Sequence, residues 1–398
     1  MPKTTSPSAP VAALAARAFP YQATYTTGVI RPTNVTQDEM NAAVSTHYTA
    51  WKRAYIRTDG GQGSWVKYDS TNATVSEAHG YGMVLSAYMA DKSLLDDMFR
   101  FFKAHPSIHS AHLMAWKQSL SGNAMVDVAG GDSATDGDLD IAYALLLADV
   151  QWGSAGSTNY KAEALLILHD VLANEVNPVT GNLTTGDAAT GADADHTRPS
   201  DFMTDHLLAF AQADSANAAR WKQVYSTVSA AVNYQFTHGS QNTGLMPDFM
   251  VLSGGNFIPV PGQYLETPHD GDFAYNACRT PWRLAMSFIL YGKTDMLSAQ
   301  QQTAAWIARA TAGVPNKIRA GYWVTNGANG TVYAGYDDLA FTAPMAVNAM
   351  LGGPAAQAWL NSLWTSIAGG DYPVTVNYYG DSIRLQVLLT VSGNWWAP

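Results

Sequence analysis

Three short stretches of this chain gather carboxylates among residues that do not otherwise favour them. In "SEAHGYGM", residues 76–83, a lone acid, Glu77, stands at the start of a small, apolar and aromatic segment. Gly80 and Gly82 each cost a helix interior about 1 kcal/mol relative to Ala, so both ask for a reason. The second stretch, residues 130–153, crowds Asp136, Asp138 and Asp140 onto one helix start. One Asp there is explained by capping and by the helix dipole, worth about 0.3–1 kcal/mol. Three like charges so close repel each other, which makes capping alone the weaker of the two readings. The third stretch, residues 262–285, holds Glu266, Asp270, Asp272, Arg279 and Arg283 beside Tyr264, Tyr275 and Trp282. A solvated loop followed by structural ion pairs would explain that composition equally well.

Carboxylates on separated segments, with few basic groups and many Tyr and Trp, match glycosidic-bond hydrolysis. That reaction needs one protonated acid at the leaving oxygen and one ionised base to activate water. Aromatic faces hold the sugars. In this reading Glu77 is the acid. Ala78 and the glycines would let sugar and neighbouring chain approach closely, while burial and nearby Asp charge raise its pKa. Other chemistries fit poorly, since the chain has no Gly-rich phosphate loop and no G-x-S-x-G turn. His105, His109 and His112 recur at helical spacing, but Pro106 interrupts them and no carboxylate completes a metal set. Asp193 and Asp195 lack the spacing of a calcium loop. No metal is expected.

The elements that must position these groups are mostly helices. Of 398 residues, 47% are hydrophobic and 14% charged, enough to bury a sizeable core. The net charge of −10, with no run of Lys or Arg, argues against nucleic acid or an anionic membrane as partner. No apolar run reaches the ~18 residues of a membrane span, and the lone Cys278 allows neither a disulfide nor a Cys-based metal site. Residues 1–20 read as a disordered or linker-like segment without the apolar core of a signal peptide. Residues 21–398 read as one domain.

Apolar periodicity predicts helices over 37–54, 76–90, 92–104, 135–152, 159–174, 201–214, 217–236, 276–291, 296–312, 338–351, 355–368 and 377–392. Some, such as 141–152, are apolar all round, whereas others, such as 160–176, have one polar face. Buried helices beside amphipathic ones imply two layers. The expected fold is all-α, an (α/α)6 barrel of six inner and six outer helices. Long loops over 176–200 and 237–275 are expected to be functional, with short strands within 243–260.

Several blocks resemble family-eight glycoside hydrolases. "ATDGDLDIAYALLLADVQW" fits the signature of that family from Ala134 to Trp152. "SEAHGYGM" resembles its segment carrying the general acid, which implies that role for Glu77. Ala78 and His79 depart from the commonest residues there, next to the −1 subsite. "RPSDFMTDHLLAF" at 198–210, "TGLMPDF" at 243–249 and "YYGDSIRLQVLLTVSGN" at 378–394 also resemble family blocks. Many members take the base from an Asp where this chain has Asn276, and an amide cannot serve. The loop "YLETPHDGDFAYNACRTPWR" resembles that of Bacillus-type chitosanases and glucanases, whose base is a Glu in the loop. The resemblance therefore implies Glu266 as base, with Asp270 and Asp272 as fallbacks. It implies that Asp136 binds the −1 sugar, with Asp138 the second candidate, and that Tyr143, Tyr275, Asn276 and Arg279 line the cleft. Trp65, Trp152 and Trp282 are candidate stacking platforms and equally candidate core residues. The implied function is a secreted, monomeric, inverting endo-β-1,4-glycanase of the cellulase or lichenase type that needs no cofactor. Chitosan is the rival substrate and xylan the third. A non-catalytic carbohydrate-binding relative is the rival of another class.

Overall fold

The computed structural model describes residues 17–325, 327 and 329–398. Its helices are α1 (Gln37–Tyr55), α2 (Ser76–Tyr88), α3 (Lys92–Ala104), α4 (Thr135–Trp152), α5 (Tyr160–Asn174), α6 (Thr204–Ala213) and α7 (Ala218–His238). There follow α8 (Thr280–Arg283), α9 (Met286–Tyr291), α10 (Leu297–Ala310), α11 (Leu339–Ala349), α12 (Gln357–Thr365) and α13 (Tyr378–Val391). Contacts run from α2 to α4, α6, the α8–α9 segment, α11, α13 and back to α2, which closes an inner ring of six. Helices α3, α5, α7, α10, α12 and α1 each pack outside a ring member. This is the expected (α/α)6 barrel.

The two layers follow from residue type. In α2 every residue except Glu77 is buried, and α11 and α13 are equally enclosed, because small and apolar side chains face neighbours in every direction. On the outer α3, Leu94, Leu95, Met98, Phe99, Phe101 and Phe102 form one buried stripe and the remaining face meets solvent. The expected helix over 276–291 is broken into a 3-10 turn (Ala277–Arg279), α8 and α9. Pro281 has no N–H to give to Ala277 O, which accepts from Thr280 Oγ1 at 2.7 Å, and after α8 the coil tightens, with Ala285 N bonded to Trp282 O at 3.1 Å.

Short strands gather beside the inner helix starts. β1 (Ile56–Arg57) pairs with β2 (Trp65–Val66), and β3 (Ala73–Val75), β4 (Lys117–Ser121) and β5 (Ala124–Asp127) form an antiparallel sheet. β6 (His196–Thr197), β7 (Met250–Ser253) and β8 (Asn256–Pro259) form another. Strands were expected within 243–260, and β7 and β8 lie there. Their turn carries Gly254 and Gly255 at φ 57° and 84°, the left-handed pair a two-residue hairpin requires. The β4–β5 hairpin was not foreseen.

Of the segment expected to be linker-like, residues 1–16 lie outside the described residues. Arg17, however, is docked. Its Nη1 donates to Ala397 O at 3.0 Å and its carbonyl accepts from Gln151 Nε2 at 3.0 Å. Among the described residues no helix is long and apolar enough to cross a membrane.

Candidate active site

The inner helices bring their N-terminal ends together around one cavity of about 550 Å³. Glu77 enters from α2, Asp136 from α4 and Arg198 from the turn before α6. Asn276 and Arg279 come from the turn before α8, Asp338 from the start of α11 and Tyr378 from α13. Glu266 reaches the same cavity from the loop after β8. Helix N-termini carry partial positive charge, so they can hold a cluster of carboxylates that would otherwise repel.

Close helix packing places Glu77 and Asp136 side by side. A Cβ on Gly80 would lie 2.7 Å from Asp140 Cβ, and one on Gly137 would lie 2.6 Å from the Ser76 backbone. The glycines therefore let α2 and α4 touch. Gly80 and Gly82 were expected to let sugar and neighbouring chain approach; neighbouring chain does so, Asp140 against Gly80 and Met98 and Val66 against Gly82, whereas neither glycine lines the cavity. Ala78 and His79 are also turned inward: His79 is fully buried, with Nε2 2.8 Å from Met98 O, and neither reaches the cavity.

Glu77 accepts from Arg279 Nη1 at 2.7 Å through Oε2 and from the Tyr378 hydroxyl at 2.8 Å through Oε1. Burial pushes its carboxyl above the ordinary value of 4.5, against the pull of Arg279 and with help from the Asp136 charge. Asp136 goes the other way. Burial alone would raise it, but Arg198 at 3.0 Å and Arg279 at 3.2 Å hold it below 3.8. Two neighbouring carboxyl groups are thus shifted in opposite directions, one toward holding a proton and one toward remaining charged. The helix cap is Ala134, with no side-chain cap bond, so capping does not explain Asp136.

Glu266 is exposed, and its Oε2 accepts from Asn276 Nδ2 at 3.0 Å. The two fallback acids are occupied elsewhere. Asp270 is fully buried and accepts from the backbone N–H groups of Tyr264, Leu265, Glu266 and Thr267 at 2.7–2.9 Å, which shapes the loop carrying Glu266. Asp272 accepts from Val324 N and Thr325 N and faces His269. Glu266 alone of the three lines the cavity.

The remaining expectations divide. Tyr275, Asn276 and Arg279 do line the cavity. Asp138 does not: it is fully buried, its Oδ1 accepts from Met114 N at 2.8 Å, and its carboxyl is turned toward Glu175. Asp140 pairs with Arg283 at 2.8 Å and with His206 at 2.9 Å. The three crowded acids therefore avoid mutual repulsion by taking different partners. Tyr143 is core, stacked on His206 with ring centroids 3.6 Å apart. Trp65 and Trp282 are completely buried, and Trp152 packs against Tyr160 at the far end of α4, so none of the three offers a face to the cavity. The aromatic residues that line the cavity are instead the half-buried Trp116 and Tyr68, with Tyr275, Tyr378 and Tyr379. Tyr378 and Arg198 open the blocks at 378–394 and 198–210, so a signal for them existed. Nothing local distinguishes Trp116 from a core Trp. Of the three histidines, His105 pairs with Asp127 at 2.8 Å and His112 with Asp170 at 3.0 Å.

Comparison with known proteins agrees with this geometry. The sequence matches the family described as Glycosyl hydrolases family 8 over residues 18–392. It is 42% identical over 384 residues to a beta-glucanase of Niallia circulans, covering 95% of this chain and 91% of that protein. An endoglucanase of Bacillus sp. (strain KSM-330) is 33% identical, with 96% of this chain and 82% of the other covered. The apo structure of a beta-1,3-1,4-glucanase from Paenibacillus sp. X4 superposes with a TM-score of 0.91 at 41% identity, covering 96% of this chain and 99% of that one.

Proposed function

The chain belongs to glycosyl hydrolases family 8, and from that premise we propose that it is an inverting endo-β-1,4-glycanase acting on β-glucan. Glu77 is the general acid, Glu266 the general base, and Asp136 holds the sugar whose bond is broken. The observation that carries this reading is the pairing of a carboxyl group driven toward its protonated form, Glu77, with a separate carboxylate, Glu266, on the same cavity. In an inverting reaction the acid protonates the leaving oxygen while the base takes a proton from water on the opposite face of the ring. Asp136, kept charged by Arg198 and Arg279, accepts hydrogen bonds from sugar hydroxyls and stabilises positive charge at the anomeric carbon. Trp116, Tyr68 and Tyr275 supply ring faces to adjacent sugars. Residues 21–398 form the single catalytic domain, and the protein works outside the cell as a monomer.

Beta-glucan is preferred as substrate because the beta-glucanase and beta-1,3-1,4-glucanase relatives exceed 40% identity over nearly the whole chain. A non-catalytic binder would have no use for both Glu77 and Glu266. The test is reducing-sugar release from mixed-linkage glucan, carboxymethyl-cellulose, chitosan and xylan, with the anomer of the first product followed by proton NMR. Fast release from mixed-linkage glucan with initial formation of the α-anomer is expected. Cleavage of chitosan alone would replace the substrate, and a β-anomer would overturn the mechanism.

A further inference from the structure

Glu266 sits on an exposed loop, yet a base must be held against its water. Asp270 shapes the backbone of that loop but makes no hydrogen bond with the Glu266 side chain. Among the described residues, one hydrogen bond holds the Glu266 carboxylate, and it comes from Asn276 Nδ2 at 3.0 Å. The orientation of that amide is chemically forced. Its Oδ1 lies 3.1 Å from Arg279 Nη2, and a guanidinium can only donate, so the oxygen must face it. The amide nitrogen then faces two acceptors, Glu266 Oε2 and, at 3.4 Å, Asp248 Oδ2. Asp248 is itself immobile. It is buried and accepts from Ala274 N at 2.9 Å, Ala277 N at 2.6 Å and Asn276 N at 3.2 Å.

Arg279 completes a chain across the cleft. Its Nη1 donates to Glu77 and Asp136, and its Nη2 donates to Ser200 and Asn276. We infer that Asn276 is the positioning residue for Glu266 and that, through Arg279, it joins the two catalytic carboxyl groups into one hydrogen-bonded unit. This rests on the proposed roles of Glu77 and Glu266. An amide suits the position because it accepts from the arginine on one side and donates to a carboxylate on the other while adding no charge. A carboxylate at 276 could not donate. It would stand about 3 Å from Glu266, and two acids that close share a proton, which raises the second ionisation. The other charged groups around Glu266 are Arg198, Asp248, Asp270 and Arg279.

The test compares Asn276→Ala, Asn276→Asp and Glu266→Ala on mixed-linkage glucan, with kcat, KM and the pH–rate profile measured for each and melting temperature as a folding control. Asn276→Ala should lose about 10–100-fold in kcat with KM nearly unchanged, the size expected when a reacting group is displaced by about an ångström. Azide should not restore it, because the base is still present. Asn276→Asp should move the acidic limb of the profile about one pH unit or more upward, and this near-isosteric variant keeps the test open should the alanine variant fold poorly. Native kcat in Asn276→Ala, or an unmoved acidic limb in Asn276→Asp, would overturn the inference. Glu266→Ala separates the two levels. If it is inactive and recovers with azide, the base is correctly assigned whatever Asn276 does; if it stays active, the base assignment falls first.

Discussion

Replacing Glu77 by Gln isolates the proton from the shape. A glutamine keeps the acceptor that Arg279 meets at 2.7 Å and can turn its amide toward the Tyr378 oxygen, so the local packing survives. What it cannot do is protonate the leaving oxygen. General acid catalysis contributes about 10²–10⁴-fold, or about 3–5 kcal/mol of transition-state stabilisation at 1.36 kcal/mol per tenfold. Turnover of mixed-linkage glucan should fall by that factor. An aryl glycoside with an acidic phenol as leaving group should lose far less, since it departs without a proton. The pH profile supplies a second reading. Burial raises the Glu77 carboxyl above 4.5, so the active protonated form persists to higher pH than an ordinary Glu allows, and the basic limb that it sets should vanish in the variant. Stability must follow the same sign. A carboxyl raised in the folded state favours folding fully below its unfolded value and loses that contribution as pH rises through its folded value. The melting temperature of Glu77→Gln relative to the native protein should therefore improve across that window. A folded variant that turns over natural glucan at near-native rate would refute the assignment.

Asp136→Asn should lose turnover and stability together, because a buried carboxylate serves both Arg198 and Arg279. Unpairing buried charge costs about 3–5 kcal/mol, with the low end expected because Asn still accepts; denaturant melts measure it. Asp270→Ala should release the four backbone N–H groups of residues 264–267, cutting kcat without azide rescue and increasing proteolysis at that loop. Glu175, in contact with Asp138 and bonded by Ser133 at 2.6 Å, is pushed up to about 8, chiefly by burial. Its contribution is present below the unfolded value near 4.5 and is lost as pH rises through about 8, so stability should fall across that range. Melting of Glu175→Gln as a function of pH should show a smaller fall, the remainder coming from the neighbouring Asp138 carboxyl, which burial also raises.

The boundaries of the helices were legible in the chain because they depend on neighbours three and four residues away. Eleven of the twelve expected helices are single α-helices starting or ending within a few residues of the expected positions, and the twelfth broke where Pro281 removes a donor. The two-layer arrangement was also readable, since an apolar helix with no polar face must be covered on all sides. Glu77 stood out for a similar reason, as an acid with no local partner in an apolar segment. The fates of the other acids were not readable. Asp136, Asp138 and Asp140 look alike in sequence, yet one meets Arg198 and Arg279, one faces Glu175 and one meets Arg283 and His206. Those partners lie tens to more than a hundred residues away along the chain, and only the closure of the barrel brings them together. The aromatic residues divide on the same ground. Trp65 and Trp282 are sealed by the core while Trp116 faces the cavity, because what covers an indole is whatever distant segment packs over it. Local periodicity specifies which face of an element is apolar; which apolar or charged group stays open to a sugar depends on long-range packing that no short window contains.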